Sequence, residues 1–237
     1  MSSKSYLLLK KLPAVLLLAI MAHPGFASVV LSSTRVIYPQ KEKEVTVQVN
    51  NKGKSPVLLQ SWIDNGDAEA LPELIDVPFI LTPPVNRIDP NQGQSLRIRY
   101  IENNHLPADR ESLFWLNALE IPAKIKEEKE HRNYLQFAIR TRIKIFFRPA
   151  SLKGEPTSAA KRLRWEIDNK GITAINDSPW YINLANITVE QTGKEQLIAG
   201  DTVSPFGKRT FAIKGAAVSK VKDWQYINDY GAVHSTQ

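Results

Sequence analysis

Residues 133–149, NYLQFAIRTRIKIFFRP, constrain this chain more than any other stretch. Leu135, Phe137, Ile139, Thr141, Ile143, Ile145 and Phe147 share one phase, with Gln136, Ala138, Arg140, Arg142, Lys144, Phe146 and Arg148 in the other. Alternation rich in β-branched and aromatic residues predicts a strand with one apolar face. At ~3.3 Å per residue such a strand reaches about 45 Å, against ~17–20 Å for an ordinary one. No small domain has a core wide enough to cover that face. Part of the strand must therefore lie exposed, which invites aggregation, or be made to pair with something else.

The chain opens with Lys4, Lys10 and Lys11, an apolar run over residues 12–22, and Gly25-Phe26-Ala27 as a small-x-small site. That order predicts a secretory signal cleaved after Ala27, so that the mature chain starts at Ser28. The apolar run falls short of the ~20 residues a membrane span needs, and no later segment approaches it. Removing residues 1–27 from 237 leaves 210, enough for one large domain or two smaller ones. It also lowers the net charge from +7 to +4, because the segment holds three lysines and no acid. Mixed charge without a basic run argues against nucleic acid as a partner. There is no cysteine, so disulfides, thiolate zinc sites and thiol catalysis are all excluded. His23, His105, His131 and His234 stand apart from one another and from any HExxH pattern. They are expected to be solvated, with no metal and no cofactor implied.

Further β-like runs follow one another at turn-separated intervals. Residues 28–38 read as one strand carrying Arg35. Residues 43–50 alternate Val45, Val47 and Val49 with polar neighbours, and Asn50-Asn51-Lys52-Gly53 supplies a turn. Residues 56–64 form another strand, with Trp62 expected as a core anchor. Residues 79–90 hold paired prolines that exclude helix and interior strand. Residues 94–101 and 112–121 are strand-like, and residues 123–133, AKIKEEKEHRN, are a charged loop. Seven or so strands are used by Pro149. Residues 151–160, SLKGEPTSAA, then read as a linker. Short β runs resume at 163–167, 172–176, 180–189, 196–199, 209–213 and 224–228. No convincing helical period occurs. The predicted architecture is all-β, two β-sandwich domains in series over residues 28–150 and 151–237.

These residues resemble a known family. LPADRESLFWLNALEIPA at residues 106–123 closely resembles the signature of the periplasmic pilus chaperones of the chaperone–usher pathway. Thr34-Arg35-Val36, Gln60-Ser61-Trp62-Ile63, Thr82-Pro83-Pro84-Val85, residues 142–149 (RIKIFFRP) and residues 226–231 (YINDYG) agree in order and spacing. Ala118 departs from the larger aliphatic usual in the family, and the tail lacks the cysteines of some members.

The resemblance implies two immunoglobulin-like domains with a cleft between them, in a periplasmic protein. Such a protein stabilises pilus subunits one-to-one by donor-strand complementation and delivers them to an outer-membrane usher. In that reading Leu135, Phe137 and Ile139 enter the open groove of a subunit that lacks its last strand. Arg35 and Lys144 face the cleft and bind the subunit's C-terminal carboxylate, with a planar fork and a point charge respectively. Glu111, Arg148 and Asp229 form a charged network that sets the angle between the domains. Leu58, Gln60, Thr82, Pro84 and Val85 lie on segments that contact the usher. The brevity of residues 123–133 places the chain in the short-loop subclass, serving rod-like or tip-bearing pili.

Two other classes compete. An enzyme would need a nucleophile elbow, a phosphate loop or a metal cluster, none of which occurs; Asp109 and Glu111 fall inside the family signature instead. A pilus subunit or adhesin would lack its final strand and often carry a disulfide, whereas this chain has a full strand set and no cysteine.

Overall fold

The computed structural model describes residues 28–101, 106–123, 135–169, 171–213, 215 and 217–236. The signal, most of the charged loop with the short-loop assignment, and His23, His105 and His131 lie outside the described residues.

Nine strands make the first sandwich: β1 (Val29–Leu31), β2 (Arg35–Pro39), β3 (Val45–Asn51), β4 (Val57–Asp64), β5 (Phe79–Thr82), β6 (Val85–Ile88), β7 (Gly93–Tyr100), β8 (Ser112–Pro122) and β9 (Ile139–Arg148). One sheet runs β1-β3-β7-β5 and the other β2-β9-β8-β4-β6. Two segments cross between sheets. Residues 28–38, expected as one strand, break at Ser32-Ser33-Thr34, so β1 joins β3 while β2 lies parallel to β9. The paired prolines Pro83 and Pro84 occupy the second crossing, between β5 and β6. Inward residues of both sheets interlock as Val47, Val49, Leu59, Leu96, Ile98, Leu116 and Ile145. Tyr38, Phe79, Phe114 and Phe147 cluster among them, with Phe79 and Phe114 ring centroids 4.9 Å apart.

Two expectations need correction here. Trp62 is not a core anchor: β4 buries Val57, Leu59, Ser61 and Ile63, which leaves Trp62 on the opposite, half-buried face beneath Arg140. The long strand is shorter than its alternation suggests, because β9 begins at Ile139 and residues 135–138 lie outside the ladder.

The second sandwich contains β10 (Arg164–Asp168), β11 (Gly171–Ile175), β12 (Ile182–Gln191), β13 (Lys194–Ala199), β14 (Thr202–Val203), β15 (Lys208–Ala212), β16 (Val218–Ile227) and β17 (Val233–Ser235). Its sheets are β10-β11-β15 and β13-β12-β16-β17, with β14 also on β12. Ile172, Ala174, Ile187, Val189 and Val203 form its centre. The linker expected over residues 151–160 instead carries a helix, α1 (Pro156–Lys161), opened by a proline at its first turn. Ala159 and Ala160 of α1 are buried, and the Ala160 carbonyl accepts the Trp224 indole N–H at 2.8 Å. The histidine expectation also changes: exposed His234 pairs with Asn228 at 2.9 Å and stacks on Tyr226.

Each sandwich buries one asparagine that satisfies a turn. Asn51 donates to the Ser55 and Ile88 carbonyls and accepts the Gly53 N–H. Asn176 donates to the Trp180 and Ser204 carbonyls and accepts the Ser178 N–H. Pairing of this kind offsets the cost of burying a polar side chain.

Candidate functional site

β9 carries two faces with different destinations. Ile143, Ile145 and Phe147 point into the first core. Following the same phase backwards, Ile139, Phe137 and Leu135 are 51%, 70% and 85% exposed. β8 pairs β9 along its whole length, whereas β2 pairs it only from Lys144 onward. The edge of β9 from Ile139 to Ile143 therefore has no neighbour on its β2 side among the described residues. Gln136 holds the departing chain by donating to the Pro122 and Ala123 carbonyls.

The other face of β9 presents Arg140, Arg142, Lys144, Phe146 and Arg148. Arg35 and Lys144 are register partners across the parallel β2–β9 ladder. Lys144 Nζ donates to Asn183 Oδ1 at 2.9 Å and to Thr202 Oγ1, both in the second domain, and sits 5.4 Å from the Trp115 ring centroid. Arg35 donates weakly to the Ile227 carbonyl at 3.4 Å, and its buried Nε has no partner. Burial lowers the Lys144 pKa, the Arg35 charge lowers it further, and Asp201 opposes both. Burial likewise lowers that of Arg35, against the pull of Asp229. Two partly desolvated cations lie side by side with no carboxylate in ion-pair contact among the described residues. An incoming anion would favour the charged form of both.

Glu111, Arg148 and Asp229 are brought together at the junction of the domains. Arg148 Nε donates to Glu111 Oε1 at 2.9 Å, while its two terminal nitrogens meet Asp229 at 2.8 and 3.1 Å. Glu111 is 3% exposed and its second oxygen accepts the Tyr181 N–H at 2.8 Å. Arg148 also lies over the Trp180 ring. Burial opposes the Arg148 charge, but Asp229 and Glu111 outweigh it and hold the pKa above the ordinary arginine value. Burial leaves Glu111 above the ordinary carboxylate value despite Arg148 and the Tyr181 amide. Gly231, at φ 84°, closes the junction nearby, where a Cβ would stand 2.6 Å from Thr34 Oγ1.

Leu58, Gln60 and Val85 share the outward face of β4 and β6, with Gln60 directly opposite Val85. Leu58 and Val85 are 42% and 49% exposed. Thr82 and Pro84 are exposed at the adjoining crossing, and the Pro84 carbonyl accepts the Ser61 N–H at 2.7 Å.

Several residues of this surface are not evident from sequence reading. Asn183 and Thr202, which hold Lys144, sit on β12 and β14 with no local pattern to mark them. Phe146 falls in the polar phase of β9 yet is buried against Tyr181 of the second domain, ring centroids 5.8 Å apart. Asp64, 1% exposed, accepts from two of the Arg142 guanidinium nitrogens and from the Asn117 amide. A signal for that cluster exists: three cations at alternate positions of one strand require a counter-charge, and Asp64 is the acid of the strand at residues 56–64.

Two β-sandwiches in series, with an ion network at their junction, define a two-domain immunoglobulin-like protein. Two family models, "Pili and flagellar-assembly chaperone, PapD N-terminal domain" and "Pili assembly chaperone PapD, C-terminal domain", match residues 28–153 and 158–237. The chain belongs to the pilus-assembly chaperone family. It is 41% identical over 221 residues to the chaperone protein FimB/FhaD of Bordetella pertussis, covering 92% of this chain and 90% of that protein. The crystal structure of the Pseudomonas aeruginosa CupB2 chaperone matches with a TM-score of 0.74 at 39% identity, over 87% of this chain and 97% of that one. A chain of the Salmonella enterica SafA pilin–SafB chaperone complex matches at 0.75 and 30% identity, over 90% of this chain and 96% of that one.

Proposed function

We propose that this protein is a periplasmic chaperone that captures pilus subunits one-to-one by lending them a strand, then hands them to an outer-membrane usher. One observation carries the reading: β9 builds a core with one end and leaves Leu135, Phe137 and Ile139 exposed in the same phase at the other. A client sandwich missing its last strand has the complementary defect, an open apolar groove flanked by unpaired backbone. Each large side chain buried there contributes about 1.5–3 kcal/mol, and each ladder hydrogen bond about 0.5–1.5 kcal/mol.

Arg35 and Lys144 bind the client's terminal carboxylate in this reading. The carboxylate accepts charge-assisted hydrogen bonds from both and restores the charge balance that burial disturbs. Lys144 keeps donor capacity beyond Asn183 and Thr202, since an ammonium has three N–H groups. Glu111, Arg148 and Asp229 hold the second domain at the angle that frames the carboxylate. Leu58, Gln60, Thr82, Pro84 and Val85 form the patch offered to the usher.

The remaining assignments follow the same reading. Residues 1–27 are a signal removed after Ala27, and the domains divide at residue 150. The chain acts by binding rather than catalysis, because strand exchange between folded partners draws on binding free energy and needs no nucleotide. Periplasmic co-expression with pilus subunits tests the core of this. A one-to-one complex is expected with the wild type, and none with Lys144→Ala or Arg35→Ala, each remaining folded. Equal recovery from wild type and variants would remove the anchor; recovery from neither, with any subunit of the system, would remove the chaperone reading.

A further inference from the structure

We propose that Glu120 is the receptor for the amino terminus of the mature chain, a site completed only when the signal segment is removed. This inference rests on cleavage after Ala27. Glu120 lies near the end of β8 in the inward-pointing phase of Ala118 and is half-buried. One of its oxygens receives the Ser28 hydroxyl and the other the Val29 N–H at 3.2 Å. Among the described residues it has no cationic partner, which is unusual for a half-buried carboxylate in a chain with surplus positive charge.

Ser28 is fixed from its other side as well. Its carbonyl accepts the Lys52 N–H at 2.6 Å. A Cβ on Gly53 would stand 2.7 Å from the Ser28 Cβ, so only glycine lets the turn after β3 come this close. Ser28 N is joined to its own hydroxyl oxygen through three bonds of about 1.5 Å. Its distance from the Glu120 carboxylate therefore falls within or near the ~4–6 Å over which opposite charges favour one another. Before cleavage that nitrogen is a neutral amide. After cleavage it is an α-ammonium with three donors, and the ion pair that Glu120 lacks is supplied by the chain itself. The charged residue beside Ser28 is Lys52, exposed on the turn after β3; Val29 faces Asn51 of β3, and Glu120 faces Leu59 of β4 and Ile139 of β9.

The position matters for the proposed activity. Glu120 is the register partner of Ile139, the residue at which β9 leaves its ladder. Docking the amino terminus there clamps the end of the sandwich from which Leu135 and Phe137 project.

The test uses the chain beginning at Ser28, released from a fusion by a protease, and compared free and with its α-amine acetylated. The free form is expected to melt about 2–4 °C higher at pH 6, with the gap closing near pH 10 and absent in Glu120→Gln. A folded-state α-amine pKa above the ordinary ~7.7–8.0 is expected by NMR titration. The sign follows: a raised amine pKa gives stability that is present below the ordinary value and lost as pH rises through the folded one. Equal melting of free and acetylated chains, or a gap that persists in Glu120→Gln, would overturn the proposal. Should Glu120→Gln not fold, the wild-type titration decides, an ordinary or lowered amine pKa refuting the receptor. Mass spectrometry of the exported protein tests the cleavage reading separately. A first residue other than Ser28 would refute cleavage there and with it the physiological role, whichever way the receptor measurement falls.

Discussion

β9 and β12 are both ten-residue strands at the centre of a sheet, one in each domain, yet only β12 is finished on both sides. β13 and β14 follow one another in a single register along one side of β12, and β16 covers the other. Its inward residues Ile182, Leu184, Ile187 and Val189 are all buried. β9 has β8 throughout but β2 only over its second half, and exposure climbs as soon as that neighbour is missing. Both strands carry apolar residues for a core; what separates their apolar faces is the neighbours. The first domain holds in reserve the surface that the second has already spent on itself.

The largest effect expected from this contrast is on capture. Replacing Leu135, Phe137 and Ile139 together with serine should weaken subunit binding by more than ~100-fold, since three large side chains lose their burial. The melting temperature should barely move. A marked loss of stability would return those residues to the chaperone's own core and erase the contrast.

Next in size are paired truncations read by urea unfolding. Ile187→Ala in β12 should cost about 2–5 kcal/mol, whereas Ile139→Ala in β9 should cost less than about 0.5 kcal/mol. Similar costs would mean that β9 is as finished as β12. Asp64→Ala should cost the first domain about 3 kcal/mol, because it leaves Arg142 half-buried without its counter-charge.

Asp64 also sharpens the comparison through pH. Burial alone would raise its pKa, but Arg142, Asn117 and the Gly66 amide hold it below the ordinary 3.8. The unfolded chain then binds the proton more readily, so this stability is complete above the ordinary value and lost as pH falls through the depressed one. Asp64→Asn should flatten the acid limb of first-domain unfolding, followed by the near-ultraviolet signal of Trp62 and Trp115. An unchanged limb would count against the cluster. Asp229→Ala is expected to cost under about 1 kcal/mol, since Asp229 is partly exposed. It should nonetheless change the interdomain angle seen by small-angle scattering, and an unaltered curve would confine the network to local packing.

Much of the fold was legible because alternation reports burial directly: the cores of β3 and β7 sit in the phases that the sequence marks as apolar. What escaped had physical causes. Ser32-Ser33-Thr34 reads as strand, and only the opposite sheet reveals that the chain crosses there. β14 and β17 are two and three residues long, too short for any period to register. α1 hides in a Pro/Ser stretch whose two alanines matter only once Trp224 reaches them. Trp62 and Phe146 escaped for opposite reasons: size suggests core for Trp62 but parity turns it outward, whereas parity turns Phe146 outward and the other domain buries it. The ion network and the cation pair could be named only through family resemblance, because their members are scattered from Arg35 to Asp229.

If Arg35 and Lys144 hold the client's carboxylate as proposed, their alignment across the parallel ladder gives the lent strand an origin. A client whose last carboxylate rests on that pair is counted from its end, and Ile139, Phe137 and Leu135 fall at fixed steps of ~6.6 Å from the neighbouring core positions. Because side chains alternate with a period of two, adding or removing one residue at the client's terminus would turn every apolar contact outward. On the proposed anchoring, the chaperone would measure its clients as well as cover them, and a terminus of the wrong length would be rejected by arithmetic rather than by shape.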